Sequence, residues 1–203
     1  MNNVFLLSPA RCDGRRAQTL LGEQASFALA DQLRSAEGAP LGEVFSFLSG
    51  LYFRGKIAYA TAFGAPSAAG SGAYVITTDR GLVTPLTMIR QRDLIAFSSI
   101  DIAAGDPRYL AALGRDAQRL ASTLSAGQGV VLLGSIATGK YADTLLEIFG
   151  ERLLFPTAFV GRGDMSRGGL LLRSVREGRE LAYQPVLGAV RRGKRPPKLE
   201  RIR

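Results

Sequence analysis

Residues 129–150, GVVLLGSIATGKYADTLLEIFG, constrain the fold of this chain more than any other stretch. The run Val130, Val131, Leu132, Leu133 has no polar alternation, the pattern of a strand covered on both faces within a parallel sheet. Helices are then needed on both sides of it. Small residues follow at Gly134, Ser135, Ala137, Thr138 and Gly139, where the backbone can turn tightly, and Leu145, Leu146 and Phe149 recur at helical spacing. The unpaired N–H groups that open such a helix face the end of the sheet where α/β proteins bind ligands, so an anion or a nucleotide edge is the natural guest.

Residues 134–140 formally satisfy G-x-x-x-x-G-K, yet Tyr141 stands where a phosphate loop needs Ser or Thr to hold magnesium. No later segment reads as a buried strand ending in a magnesium-binding Asp, so nucleoside triphosphatase chemistry is not expected. Two readings of the turn stand side by side. It is a ligand-binding turn with Gly134, Ser135, Thr138 and Lys140 as contacts, or a turn of small residues made for packing alone.

A chain of 203 residues, 46% hydrophobic, is long enough for one α/β domain and too short for two ordinary ones; the domain is expected over 1–190. One cysteine, Cys12, forbids an internal disulfide, and the absence of histidine excludes imidazole-built zinc sites; no cofactor or resident metal is expected, and whether a metal enters with the ligand is left open. The apolar run in MNNVFLLSPARCDGRR precedes the basic residues and is short, which fits a first strand better than a signal peptide or a membrane span. A soluble, cytoplasmic protein with no membrane partner is the expectation.

The net charge is +9, and its location matters more than its size. The tail 191–203, RRGKRPPKLERIR, holds seven Lys or Arg and one Glu, +6 in all, which leaves +3 for the rest. A basic, Pro-containing segment without apolar periodicity reads as a flexible arm for nucleic acid phosphates or as a solvated tail.

Along the rest of the chain, residues 4–7 read as the first strand, and a helix is expected over 17–33. Between them the loop 8–16 offers Ser8, Arg11, Cys12, Asp13, Arg15 and Arg16, a phosphate clamp or a solvated helix start. Residues 43–47 alternate weakly and are expected to form the second strand. Residues 52–63 read as a helix whose Tyr52, Arg54, Lys56 and Tyr59 interleave aromatic and basic groups, either as contacts for a base or phosphate or, the commoner case, as surface residues of an amphipathic helix. Strands are expected at 73–77, 151–155 and 180–187, and a helix from the Asp106–Pro107 cap to about Leu124. The segment 159–173, FVGRGDMSRGGLLLR, combines four glycines with Arg162, Asp164, Ser166 and Arg167. If Asp164 or Ser166 caps the helix running to about Glu177, Arg162 and Arg167 stand beside its positive end and form a phosphate or carboxylate site. The glycine density points to close approach by a ligand; the alternative is a capped helix whose arginines pair with Asp164 and other acids.

The alternation of strands and helices predicts a three-layer α/β sandwich, Rossmann-like, with a mostly parallel central sheet. Within that class, VVLLGSIATGKYADTLL resembles the central strand and following helix of the uracil-DNA glycosylase superfamily. YVITTDRGLVTP resembles a strand and turn of the related domain found in archaeosine synthase. The resemblance implies that fold and a concern with nucleobases or nucleic acid. The chain departs from the superfamily pattern in having no late histidine, while its first loop offers Asp13.

Without histidine, a general base must come from Asp, Glu, Lys, Tyr or Cys. Cys12 lacks the neighbour that usually activates a thiolate. Asp79, at the end of the 73–77 strand, and Asp164 are therefore the expected catalytic carboxylates, with Ser8, Arg11, Gly134, Ser135, Thr138, Lys140, Arg162 and Arg167 binding. Cleavage of an N-glycosidic bond needs little beyond a carboxylate that orients water or stabilises an oxocarbenium ion, and groups that grip base and phosphate. The expected function is an enzyme acting on nucleic acid or a nucleotide; the alternative is a non-catalytic module that binds one. Either reading requires the turn at Gly134 and the segment around Asp164 to border one cavity.

Overall fold

The structure, a computed structural model, describes residues 2–103, 105–197 and 199. It is a three-layer α/β sandwich. The strands are β1 (Val4–Leu7), β2 (Ala39–Pro40), β3 (Ala73–Ile76), β4 (Leu82–Val83), β5 (Met88–Ile89), β6 (Val130–Leu133), β7 (Leu153–Pro156) and β8 (Tyr183–Pro185). The helices are α1 (Arg15–Leu21), α2 (Ala28–Arg34), α3 (Leu41–Ser49), α4 (Leu51–Phe63), α5 (Gln91–Ser98), α6 (Pro107–Thr123), α7 (Gly139–Phe149) and α8 (Asp164–Glu177). The main sheet runs β4-β3-β1-β6-β7-β8, while β2 and β5 form a small antiparallel ribbon. The inner strands β3, β1, β6 and β7 are parallel and the edges β4 and β8 antiparallel.

Both β1 and β6 are buried along their whole length, as their unbroken apolar runs dictate. Their side chains divide between the two faces. Phe5, Leu7, Val131 and Leu133 join a core with α1 to α4 and α8, whereas Val4, Leu6, Val130 and Leu132 join one with α6 and α7. After β1 the chain moves to β3 on one side and later returns to β6 on the other, so the order of strands reverses between β1 and β6. That reversal opens a crevice at their carboxyl ends. Leu7 pairs with Leu133, which brings Ser8 and Gly134 together at its floor.

Three expectations change. Residues 43–47 belong to α3: Leu41, Val44, Phe45 and Leu48 are buried at helical spacing, and a window of five residues samples that stripe too briefly to separate it from alternation. The single helix expected over 17–33 is two, because α1 ends at Gly22 in an extended conformation and α2 starts only at Ala28. In α4 it is Tyr52, Lys56 and Tyr59 that are buried, not on the surface as expected, since this helix packs against both the sheet and α8. Among the described residues no helix is long and apolar enough to cross a membrane.

Residues 191–197 form no helix or strand. Arg191 pairs with Asp143 at 2.7 Å, and the Pro197 carbonyl accepts a hydrogen bond from Arg162 Nη1 at 3.2 Å. The basic residues Lys198, Arg201 and Arg203 of the tail lie outside the described residues.

Candidate functional site

A cleft of about 760 Å³ occupies the carboxyl ends of the inner strands. The loop 8–13 after β1, Thr78 after β3 and Ser135 after β6 line it, together with Lys140 and Tyr141 from the start of α7 and Asp164 and Arg167 from the start of α8. Leu48, Ser49 and Tyr52 close it from the α3–α4 joint, and residues 97–103 from the end of α5. The turn at Gly134 and the segment around Asp164 thus border one cavity.

Of the residues singled out in the sequence, Ser8, Arg11, Ser135, Lys140, Asp164 and Arg167 line this cleft. Gly134 sits beneath it, where a Cβ would stand 3.0 Å from that of Ser8, so glycine lets β1 and β6 end side by side. Thr138 faces an adjoining hollow of about 520 Å³, which shares Lys140 with the main cleft. Arg162 turns away: its Nη1 donates to Ser166 Oγ at 3.1 Å and to the Pro197 carbonyl. Asp79 lies behind Thr78, outside the lining, 3.6 Å from Arg80, and burial raises its carboxyl above the usual range.

The cationic groups differ in their freedom. Arg11 is exposed and forms a two-pronged pair with Asp13 at 2.6 and 3.0 Å. Arg167 is buried; its Nε and Nη2 donate to the Phe159 carbonyl at 3.3 and 3.2 Å, and its Nη1 lies 3.7 Å from Asp164 Oδ1. Asp164 itself projects into solvent. Lys140 stands over the Tyr141 ring, 5.1 Å from its centroid, and among the described residues pairs with no carboxylate.

Neither Asp164 nor Ser166 caps α8. The N-cap is Gly163, Asp164 is the first helical residue, and the N-cap residue supplies no side-chain hydrogen bond to the helix start. The glycines in this segment also have another use. A Cβ on Gly168 would lie 2.8 Å from the Leu51 carbonyl, and one on Gly55 2.8 Å from that of Gly168. The density read as an approach to a ligand is therefore, at Gly168, the approach of α8 to α4. Its effect on the site is indirect: the close crossing brings Asp164 and Arg167 beside α4.

What α4 presents there is Tyr52, which lines the cleft, and Lys56, buried outside the lining; sequence reasoning weighed both as base or phosphate contacts and favoured surface positions for them. Lys56 is 1% exposed, and its Nζ donates to the Ser8 carbonyl at 2.5 Å and to Ser8 Oγ at 3.0 Å. The ammonium also lies over the rings of Tyr52 and Phe53, 4.4 and 4.6 Å from their centroids. Burial pulls its pKa down to about 7, opposed by the Asp164 charge and reinforced by that of Arg167. The Tyr52 hydroxyl is buried and, among the described residues, has no partner of ordinary hydrogen-bond geometry. Burial raises its pKa, while the Arg167 charge facing it acts the other way. The missed signal was a lysine within the stripe Tyr52, Phe53, Lys56, Tyr59, which repeats at core spacing.

Cys12 also lines the cleft, but burial, together with the charges of Asp13 and Asp79, pushes its thiol up to about 12. It is no nucleophile at neutral pH. Among the described residues no group of three or more carboxylates or thiols is placed to hold a metal ion. Comparison of the chain with protein-family models, with curated proteins and with solved structures finds no match.

Proposed function

We propose that the cleft binds a nucleotide, free or as a unit of a nucleic acid, and that the protein is a cytoplasmic enzyme acting at the nucleobase or the N-glycosidic bond. The observation that carries this reading is the composition of the crevice. Lys140, Arg11 and Arg167 offer cationic contacts, the starts of α7 and α8 lack side-chain caps, and the rings of Tyr52, Tyr141 and Phe97 line the same space. Phosphate is matched by the first two and a base by the third. Asp164, exposed and 3.7 Å from Arg167, supplies the carboxylate that orients water or faces a developing oxocarbenium ion. Asp79, outside the lining, takes no part in this reading.

The test is release of free base from a panel of nucleotides and labelled oligonucleotides, with affinity measured in parallel. Asp164→Ala is expected to lower turnover roughly 100-fold or more with binding little changed, and Arg167→Ala to weaken binding. Unchanged turnover and affinity in both variants, on every substrate, means that the cleft is not used in this way.

A further inference from the structure

We propose that Ser8 is a covalent nucleophile which Lys56 serves as general base, and that the cleft carries out acyl transfer on a carboxylic ester or amide. The inference concerns the same cleft but does not rest on the nucleotide reading.

Its basis is geometric. Ser8 ends the central strand at the reversal of strand order, lines the cleft and holds its Oγ 3.0 Å from Lys56 Nζ. Nucleophile and base within hydrogen-bond reach, with the base fixed by a further contact, is the arrangement that activates a hydroxyl, and serine with lysine is one of its known forms. Here the fixing contact is the bond from Nζ to the Ser8 carbonyl at 2.5 Å. A neutral amine can keep one N–H on that carbonyl while its lone pair faces Oγ. Among the described residues no carboxylate pairs with Lys56; the ammonium is favoured by the faces of the Tyr52 and Phe53 rings and by more distant charge from Asp164, which Arg167 opposes. Among the described residues, the only other bond of Ser8 Oγ is to the Leu133 carbonyl, at 3.3 Å, and is readily given up. The Tyr52 hydroxyl, one turn before Lys56 on α4, faces Arg167 and has no partner of ordinary hydrogen-bond geometry among the described residues; it supplies a donor for an oxyanion. Asn3 Nδ2, Asp79 Oδ1 and Arg162 Nε are also left open among the described residues, but of these four groups only that of Tyr52 belongs to the cleft lining, where a group that arrives with the substrate can meet it.

The steps balance without a further reagent. Oγ gives its proton to Nζ and bonds to the carbonyl carbon, whose π pair moves onto oxygen beside Tyr52. Collapse of that intermediate breaks the bond to the leaving alkoxide or amine, which takes the proton from Lys56. Water then adds to the acyl-serine, Lys56 receives its proton, and the carbon–Oγ bond breaks as Oγ is reprotonated.

A fluorophosphonate probe tests this without knowledge of the substrate, since attack by Oγ forms an O–P bond and expels fluoride. The expected result is one adduct on the full chain, mapped by mass spectrometry to Ser8. Its rate of formation should rise as Lys56 loses its proton near pH 7, and level off above it. Ser8→Ala should remove the adduct, Lys56→Met should slow it about 100-fold or more, and Tyr52→Phe should slow hydrolysis of a p-nitrophenyl ester about 10-fold or more. No adduct after prolonged exposure at about pH 9, an adduct elsewhere, or labelling that ignores Lys56→Met each overturns the proposal. Should Lys56→Met not fold, labelling of the unaltered protein that is flat between about pH 6 and about pH 9 overturns it instead. Labelling without nucleotide binding sustains this inference and sinks the nucleotide reading; the reverse result does the opposite.

Discussion

An ammonium taken out of water must gain acceptors or lose its proton, and Lys56 does part of each. It finds the Ser8 carbonyl and hydroxyl, and burial still brings its pKa from 10.5 to about 7. The depressed value has a consequence for stability. Between about 7 and 10.5 the unfolded chain binds a proton at this site that the folded chain does not, so stability rises with pH across that window and is lost as pH falls through it. Cys12 acts in the opposite sense, since its raised thiol pKa makes folding less favourable as pH climbs above the free thiol value. Comparison with Lys56→Met removes the shared background. The stability of the unaltered protein minus that of Lys56→Met, measured by urea unfolding at several pH values between about 7 and 9, should rise by up to about 1.4 kcal/mol per pH unit. A difference independent of pH contradicts the depressed value.

Among the elements, the crossing of α4 and α8 decides the shape of the site. Gly55 and Gly168 meet there backbone to backbone, and Gly168 is buried. Neither position has room for a methyl group, so Gly168→Ala must push the helices apart. The expected cost is about 1–3 kcal/mol in urea unfolding, accompanied by weaker ligand binding as Arg167 moves relative to Tyr52. If Gly168→Ala is neutral, the helices are not in contact as described. The α7 start was legible beforehand because a strand, a small-residue turn and an amphipathic helix follow one another in sequence. The crossing was not, because its two glycines are 113 positions apart and nothing local marks them as partners.

For the whole molecule, the distribution of charge separates the two functional readings. The tail 191–203 carries +6 of the net +9, and of its basic residues Arg191 is paired with Asp143. Removing residues 192–203 takes away six Lys or Arg and no residue of the cleft lining, though it also removes the Pro197 carbonyl that Arg162 bonds. If the protein is an enzyme with its substrate in the cleft, activity on a small substrate should persist while affinity for long nucleic acid falls and its salt dependence flattens. A module that only binds nucleic acid should lose most of its affinity. Binding measured at two salt concentrations, with turnover of a mononucleotide alongside, distinguishes these outcomes. The sequence alone determined the three-layer architecture and the buried central strands, and it named ten site residues at one end of the sheet, of which Ser8, Arg11, Ser135, Lys140, Asp164 and Arg167 line the cleft. Those features follow from local periodicity and from the rule that parallel strands present their ensuing loops at one edge. Only the tertiary structure decided that Lys56 lies behind Ser8, that Tyr52 faces the cleft, and that Asp79 and Arg162 do not. The reason is physical: which face of a helix is buried depends on what is laid against it, and α4 is laid against the sheet and α8 at once.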